Sequence, residues 1–226
     1  MIPLLLQAVA KRRGSGRRSV QVLQDVNLML SPGEFVLLEG PSGSGKTTLL
    51  GVAGGVLTPD AGRVLIADQS LTALQPALQR QLRVRYVGFI FQRANLLSGL
   101  TSRENIVLMG TLAGMTEEDA GREADRLLAS LGISALAGRR PHELSGGEEQ
   151  RVAVARALVH HPAVVLADEP TGSLDAATGH AVAGSLAALA CERRSAVLVG
   201  THDARLAPFA SRRLNIADGR VEPWHG

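Results

Sequence analysis

Phe35-Val36-Leu37-Leu38 leads straight into Gly40-Pro41-Ser42-Gly43-Ser44-Gly45-Lys46-Thr47-Thr48, and Thr47 through Val52 then opens a helix that stops around Gly54-Gly55. A short apolar run, a glycine-rich loop and a helix in this order constrain the chain more than anything else in it. The run has the length and composition of a buried strand. The glycines remove side chains that would obstruct close approach of the backbone, and the helix N-terminus gathers unpaired N–H groups. Successive N–H groups of this kind surround phosphate oxygens. Lys46 would bridge the outer two phosphates of a nucleoside triphosphate, and the Thr47 hydroxyl would coordinate Mg²⁺.

The rest of the chain supplies strands and helical crossovers to match. Residues 19–39 read as strands, with Val26, Leu28 and Leu30 alternating. Arg63–Ile66 returns as a strand after the turn at Thr58–Gly62. Leu71–Arg83 has leucines at helical spacing, and Val84–Phe91 reads as a strand ending at Gln92. Thr116 opens a charged helix whose apolar stripe is Ala124, Leu127, Leu128 and Leu131, with Gly132 as its stop. Gln150–Val159 and Ala176–Ala190 read as helices, Val164–Ala167 and Ala196–Val199 as buried strands, and Arg213–Val221 as a closing hairpin around Asp218-Gly219. Each motif that carries chemistry sits at the C-terminal end of a strand. That pattern predicts a largely parallel α/β sheet with its ligand across those ends.

The core must be aliphatic, because 45% of the 226 residues are apolar and only 3% aromatic. A chain of this length forms one domain, or one domain with sub-lobes. No apolar run reaches the roughly 18–20 residues of a membrane span. Met1–Leu6 is too short for a signal-peptide core, and its positive cluster follows rather than precedes it, so a cytosolic location is expected. The single cysteine, Cys191, fits a reducing compartment and reads as an inert, packed thiol. The 24 Lys and Arg against 21 Asp and Glu leave a net charge of +3. The cluster Lys11-Arg12-Arg13 with Arg17-Arg18 therefore reads as a solvated loop, not as a nucleic-acid surface. Only Lys11 and Lys46 are lysines, and a compact ammonium suits a crowded phosphate site.

Asp168 ends an apolar run, where a carboxylate can hold the shell of a divalent cation, and Glu169 follows it. Strand alternation would point the two carboxylates apart, and the second would orient and deprotonate an attacking water. Phosphoryl transfer needs positioning and charge neutralisation above all. Gln92 at one strand end is placed to sense the metal and the water. His202 at another is placed to donate to the γ-phosphate. Leu144-Ser145-Gly146-Gly147-Glu148 is a second glycine-rich element opening its own helix, with a hydroxyl and backbone N–H groups for an anionic oxygen. An ordinary P-loop kinase leaves this second surface unexplained.

Together these motifs resemble the ATP-binding-cassette (ABC) ATPases over roughly residues 3–222. Gly40–Thr47 corresponds to Walker A, Gln92 to the Q-loop, Leu144–Gln150 to the signature, Leu166–Glu169 to Walker B, Ser173-Leu174-Asp175 to the D-loop and His202 to the switch histidine. Gly88–Gln92, Leu96-Leu97, Leu100-Thr101 with Glu104-Asn105, and Ala167–Gly172 resemble the subgroup of lipoprotein-releasing, macrolide-exporting and cell-division ATPases.

The resemblance implies an α/β fold: a P-loop NTPase (RecA-like) core with a mainly parallel sheet, an N-terminal antiparallel β sub-lobe and an α-helical sub-lobe at about 94–145, in one domain over 1–226. It implies ATP and Mg²⁺, with Thr47, Gln92 and Asp168 around the metal and Glu169, His202 and Gln92 as catalytic groups. The partners implied are a second ATPase subunit, most simply an identical one, and a membrane permease of the kind bearing a large extracytoplasmic domain, at the cytoplasmic face of the membrane. Two chains would sandwich two ATP·Mg, each between the Walker A loop of one and Ser145, Gly146, Gly147 and Glu148 of the other, with Asp175 beside them. A groove beside Gln92 would receive a coupling helix of the permease. The alternative is a soluble ABC ATPase acting on DNA or ribosomes, but long coiled-coil or zinc insertions and a second cassette are missing from the sequence. In two places the chain departs from the pattern. The early loop Val9–Gly14 has no aromatic residue to stack on adenine, so that either Arg12 or Arg13 stacks on the base or the base is held loosely, and Glu149 stands where a basic or amide residue is usual and is expected to face solvent.

Overall fold

The computed structural model describes residues 1–14 and 19–224; Arg17 and Arg18 of the basic cluster lie outside the described residues. In chain order the strands are β1 (Leu4–Arg13), β2 (Val20–Leu30), β3 (Phe35–Glu39), β4 (Ala61–Ile66), β5 (Gln69–Ser70), β6 (Val87–Ile90), β7 (Val164–Asp168), β8 (Ala196–Thr201), β9 (Arg212–Ala217) and β10 (Arg220–Pro223). The α-helices are α1 (Lys46–Ala53), α2 (Pro76–Tyr86), α3 (Ser102–Leu112), α4 (Glu117–Ser130), α5 (Gly146–Leu158) and α6 (Ala176–Arg193).

Two sheets form. One is antiparallel, in the order β2-β1-β4-β5; the other runs β10-β9-β3-β8-β7-β6. In the second, every pairing from β9 to β6 is parallel, and β10 joins as the antiparallel partner of β9. The α/β class, mainly parallel sheet and antiparallel sub-lobe anticipated above are all present.

Apolar runs make the parallel sheet possible, because its strands are covered on both faces. The alternation of each strand assigns its side chains to one of two cores. Val36, Leu38, Val164, Leu166, Ala196 and Leu198 join the antiparallel sheet and α1 in the first core. Phe35, Leu37, Val165, Ala167, Val197 and Val199 join α3, α4, α5 and α6 in the second. Truncating a fully buried leucine such as Leu198 to alanine removes about 2–5 kcal/mol of stability.

Helix starts follow the capping residues. Thr101 and Glu104 form a capping box at α3, Thr116 caps α4 with Glu117, Glu118 and Asp119 in its first turn, and Asp175 caps α6.

Several boundaries differ from the sequence reading. The helix expected from Leu71 begins only at Pro76, because Leu71–Ala73 forms a separate 3-10 turn and proline is suited to a first helical position. That helix runs through Tyr86, so the strand starts at Val87 and not Val84. The stretch Val9–Gly14, read as a loop, is strand as far as Arg13, with register shifts after Leu6, Val9 and Lys11 that break the alternation. Helix α5 begins at Gly146, four residues before Gln150, because Ser145 and Glu148 cap it. Cys191 is exposed near the end of α6, not packed, and Glu149 is half-buried, not turned fully to solvent. No helix among the described residues is long and apolar enough to cross a membrane.

Candidate functional site

The glycine-rich loop joins β3 to α1 and packs tightly at its two ends, Gly40 and Gly45. A Cβ on Gly40 would lie 2.4 Å from the Ile216 carbonyl oxygen of β9, and Gly45, the N-cap of α1, has φ 111°. Both positions require glycine, and together they hold the loop against the sheet. Lys46 is buried, and its Nζ donates to the carbonyls of Gly40 (2.7 Å) and Pro41 (3.1 Å), so the ammonium lies under the arch of the loop. A cavity of about 400 Å³ opens over it, lined by Ser42, Gly43, Gly45, Lys46, Thr47 and Thr48, by Asp168 and Glu169 from the end of β7, and by Arg13 and Val22 from the antiparallel sheet.

Burial holds the Asp168 carboxyl above the usual carboxylate range, opposed by a hydrogen bond from the Thr47 side chain and the nearby Lys46 charge. A buried carboxylate beside a threonine hydroxyl is an oxygen donor set for a hard cation such as Mg²⁺, which commonly takes one or two protein ligands and fills its shell with water and phosphate. Among the described residues no cluster of three or more His, Cys, Asp or Glu could hold a metal by itself.

Glu169 lies on the same cavity as Asp168. The expectation that strand alternation turns it elsewhere is wrong, because the strand ends at Asp168 and Glu169 is left-handed with φ 46°. Its N–H donates to the Gly200 carbonyl at 2.8 Å. A non-glycine residue in that region costs on the order of 1 kcal/mol and persists where surrounding bonds impose it. Those bonds are present: the Glu169 carboxylate accepts from the Thr201 hydroxyl at 2.9 Å and meets His202 Nδ1 at 2.8 Å. With the proton on Nδ1, His202 donates to Glu169 and leaves Nε2 free to turn outward on an exposed ring.

The structure does not bring the remaining predicted residues into this cavity. Gln92 is exposed and sits over the loop after β7: a Cβ on Gly172 would lie 3.3 Å from Gln92 Nε2, and the Gln92 carbonyl is 3.5 Å from the Ser173 hydroxyl. The buried amide of Gln150 donates to the Phe91 carbonyl at 3.0 Å, anchoring the chain just before Gln92. Ser145 and Glu148 form a capping box at the exposed start of α5; the carboxylate accepts from the Ser145 N–H (2.7 Å) and hydroxyl (2.8 Å), which holds it below the usual range. Gly146 is exposed, whereas Gly147 presses on α6, where a Cβ would lie 2.3 Å from Thr178 Cγ2. Asp175 caps α6 through the N–H groups of Ala177 and Thr178. Signature and D-loop residues thus gather around the adjoining starts of α5 and α6, outside the cavity that holds Lys46.

The sequence reading overlooked four residues. Thr171, fully buried, donates to Asp203 at 2.8 Å and ties the loop after β7 to the loop after β8. Asp203 also takes Arg205 Nε and Nη2, each at 2.7 Å, and these bonds bring its carboxyl down to about 2. Thr201 and Asp203 flank His202, and short polar residues directly after buried strands were the available signal. The fourth is Val22, which joins Arg13 on the cavity wall.

A family model described as ABC transporter matches residues 23–172. The lipoprotein-releasing system ATP-binding protein LolD of Granulibacter bethesdensis is 42% identical over 220 residues, covering 97% of this chain and 96% of that one. The putative hemin import ATP-binding protein HrtA of Staphylococcus haemolyticus is 40% identical over 219 residues, covering 97% and 99% respectively. Among solved structures, a dimeric ATP-binding cassette in a post-hydrolysis state, bound to ADP and Pi, superposes with a TM-score of 0.88 at 36% identity and covers 99% of each chain. The lipoprotein-releasing relative agrees with the subgroup resemblance, and none of these three supports action on DNA or ribosomes. On the family match, the near-complete relatives and the shared fold, this chain belongs to the ABC transporter family, as one of its ATP-binding and ATP-hydrolysing cassettes.

Proposed function

We infer that two copies of this chain close face to face on two ATP molecules, as the peripheral ATPase of a membrane permease. One observation carries this reading. Ser145, Gly146, Glu148 and Asp175 are grouped outside the cavity lined by Lys46, Thr47, Asp168 and Glu169, so an anionic oxygen they receive belongs to a nucleotide held by another copy. The dimeric state of the solved relative supports the same arrangement. The 226 residues then act as a single cassette.

Each residue takes a defined part. The N–H groups of Gly43, Gly45, Lys46, Thr47 and Thr48 cradle the phosphates and Lys46 exchanges its carbonyl partners for the β- and γ-oxygens. Thr47 and Asp168 would hold Mg²⁺, with Gln92, beside Gly172 and Ser173, as the further group implied for it. Bound there, Mg²⁺ neutralises charge on the phosphates. Glu169 accepts a proton from the attacking water, and Thr201 and His202 fix its carboxylate until His202 turns to the γ-phosphate. Ser145 and the N-terminus of α5 complete the charge neutralisation from the partner.

The force goes to the permease through a groove of about 360 Å³ between β6, α3 and α5, walled by Phe89, Phe91, Leu97, Leu108, Met109 and Leu112. Phe91, Leu97 and Leu112 are exposed apolar side chains, which suits an apolar coupling helix at the cytoplasmic face of the membrane. A permease with a large extracytoplasmic domain is the partner type of the subgroup this chain resembles.

Glu169→Gln tests the reading. ATP binding should persist, turnover should fall at least about 100-fold, and an ATP-bound dimer should accumulate in sedimentation. Turnover near wild type, or a strictly monomeric ATP complex, would overturn it.

A further inference from the structure

Among the described residues ten line the nucleotide cavity, and eight of them belong to the phosphate loop or to the Asp168-Glu169 pair. With phosphates on the loop and the cation at Asp168, the described residues left to face the base are Arg13 and Val22. Among the described residues no aromatic side chain lines this cavity. Strand β1 separates its cations by direction. Lys11 pairs with Asp60 at 2.9 Å, and Arg12 turns to Ser19, with Nε 3.0 Å from the hydroxyl and its own N–H held by Asp60. Arg13, next along the strand, faces the cavity. Val22 is pressed against the loop, its carbonyl 3.0 Å from where a Gly45 Cβ would lie, so it supplies a fixed apolar wall beside the guanidinium.

We propose that Arg13 grips the nucleobase, and that this cassette therefore accepts guanine nucleotides about as readily as adenine nucleotides. This rests on the ATPase reading above and adds a base-specificity residue to it. A guanidinium is flat and stacks on any purine through its face. Turned edge-on, its N–H fork matches the O6 and N7 acceptors of guanine together. Adenine offers N7 alone, with the N6 donor beside it, so neither geometry favours adenine.

Arg13 also borders Thr47 and Asp168 in the adjoining pocket, which makes phosphate contact the rival to be separated. Binding of ATP, GTP and inorganic tripolyphosphate to the full chain is measured by calorimetry without divalent cation, so that turnover is off. For the wild type, the ATP and GTP affinities should agree within about tenfold. Arg13→Lys keeps the charge and removes the plane; it should weaken ATP and GTP each about tenfold while tripolyphosphate changes by less than about twofold. Equal weakening of tripolyphosphate identifies a phosphate contact and overturns the proposal. So do unchanged nucleotide affinities, or wild-type ATP binding more than about tenfold tighter than GTP. Lys46→Ala serves as the control: if the wild type binds none of the three ligands, or Lys46→Ala binds them as well as wild type, the ATPase reading itself fails and this inference falls with it.

Discussion

His160 makes stability depend on pH in a way the structure quantifies. It follows α5 at 8% exposure, its Nε2 is 3.3 Å from the Val87 carbonyl, and its Nδ1 is buried with no partner. Burial drives its pKa down to about 4 from 6.5, with the positive field of His161 adding to the fall. The neutral ring is the one the fold accepts. The stabilisation is therefore complete above the unfolded value near 6.5 and is lost as pH falls through the folded value near 4. At about 1.4 kcal/mol per pH unit the full effect is about 3 kcal/mol, of which about 2.5 kcal/mol is gone by pH 4.5. Urea unfolding of wild type and His160→Gln at pH 7 and pH 4.5 isolates this contribution, because other titrations cancel in the double difference. The wild type should lose about 2–3 kcal/mol more than the variant, a shift of about 1 M in midpoint. Equal losses within about 0.5 kcal/mol would refute the claim that the imidazole is held neutral.

Asp203→Asn should destabilise the chain by about 1–2 kcal/mol. Since the folded carboxyl titrates near 2 and the ordinary value is 3.8, its contribution is complete above about 4 and disappears only as pH falls through 2; the deficit measured by urea unfolding should thus be equal at pH 7 and pH 4.5. Turnover should fall as well, because Thr171 and the loop carrying His202 lose their common anchor. Gly147→Ala drives a methyl into Thr178 Cγ2 and should cost about 1–3 kcal/mol. Adding Thr178→Ser removes that carbon and should restore most of the loss in thermal or urea unfolding; additive losses would show that the contact is not the cause.

Much of this was legible because several levels agreed. Phe35–Leu38, Val164–Ala167 and Ala196–Val199 are apolar on consecutive positions, so each is a doubly buried strand whichever face is considered, and the candidate catalytic groups follow at strand ends. Lys46, Thr47, Asp168 and Glu169 meet as that pattern requires. What escaped was set by directions that periodicity does not carry. Lys11-Arg12-Arg13 hid the end of β1, because these charged residues lie past the last pairing with β4 and keep only β2 as a partner, so nothing apolar marks them as strand. The orientation of Glu169 depends on a positive φ, imposed by bonds to Gly200, Thr201 and His202 that lie some thirty residues away. Arg12 and Arg13 were interchangeable in the sequence, and only the pairing of Arg12 with Ser19 separates them.

The contact between Gly147 and Thr178 reaches beyond packing. Helix α5 spans thirteen residues, a rod about 20 Å long. In the face-to-face arrangement proposed above, its front end meets the other copy's nucleotide; Ala157 near its back end and His160 just beyond it line the apolar groove. With no slack against α6, which continues from Asp175, the rod has little freedom to roll in its seat. A push at one end arrives at the other as displacement, not as local softening. The cassette is in this sense a lever, with its fulcrum at a glycine that leaves no room for a methyl group.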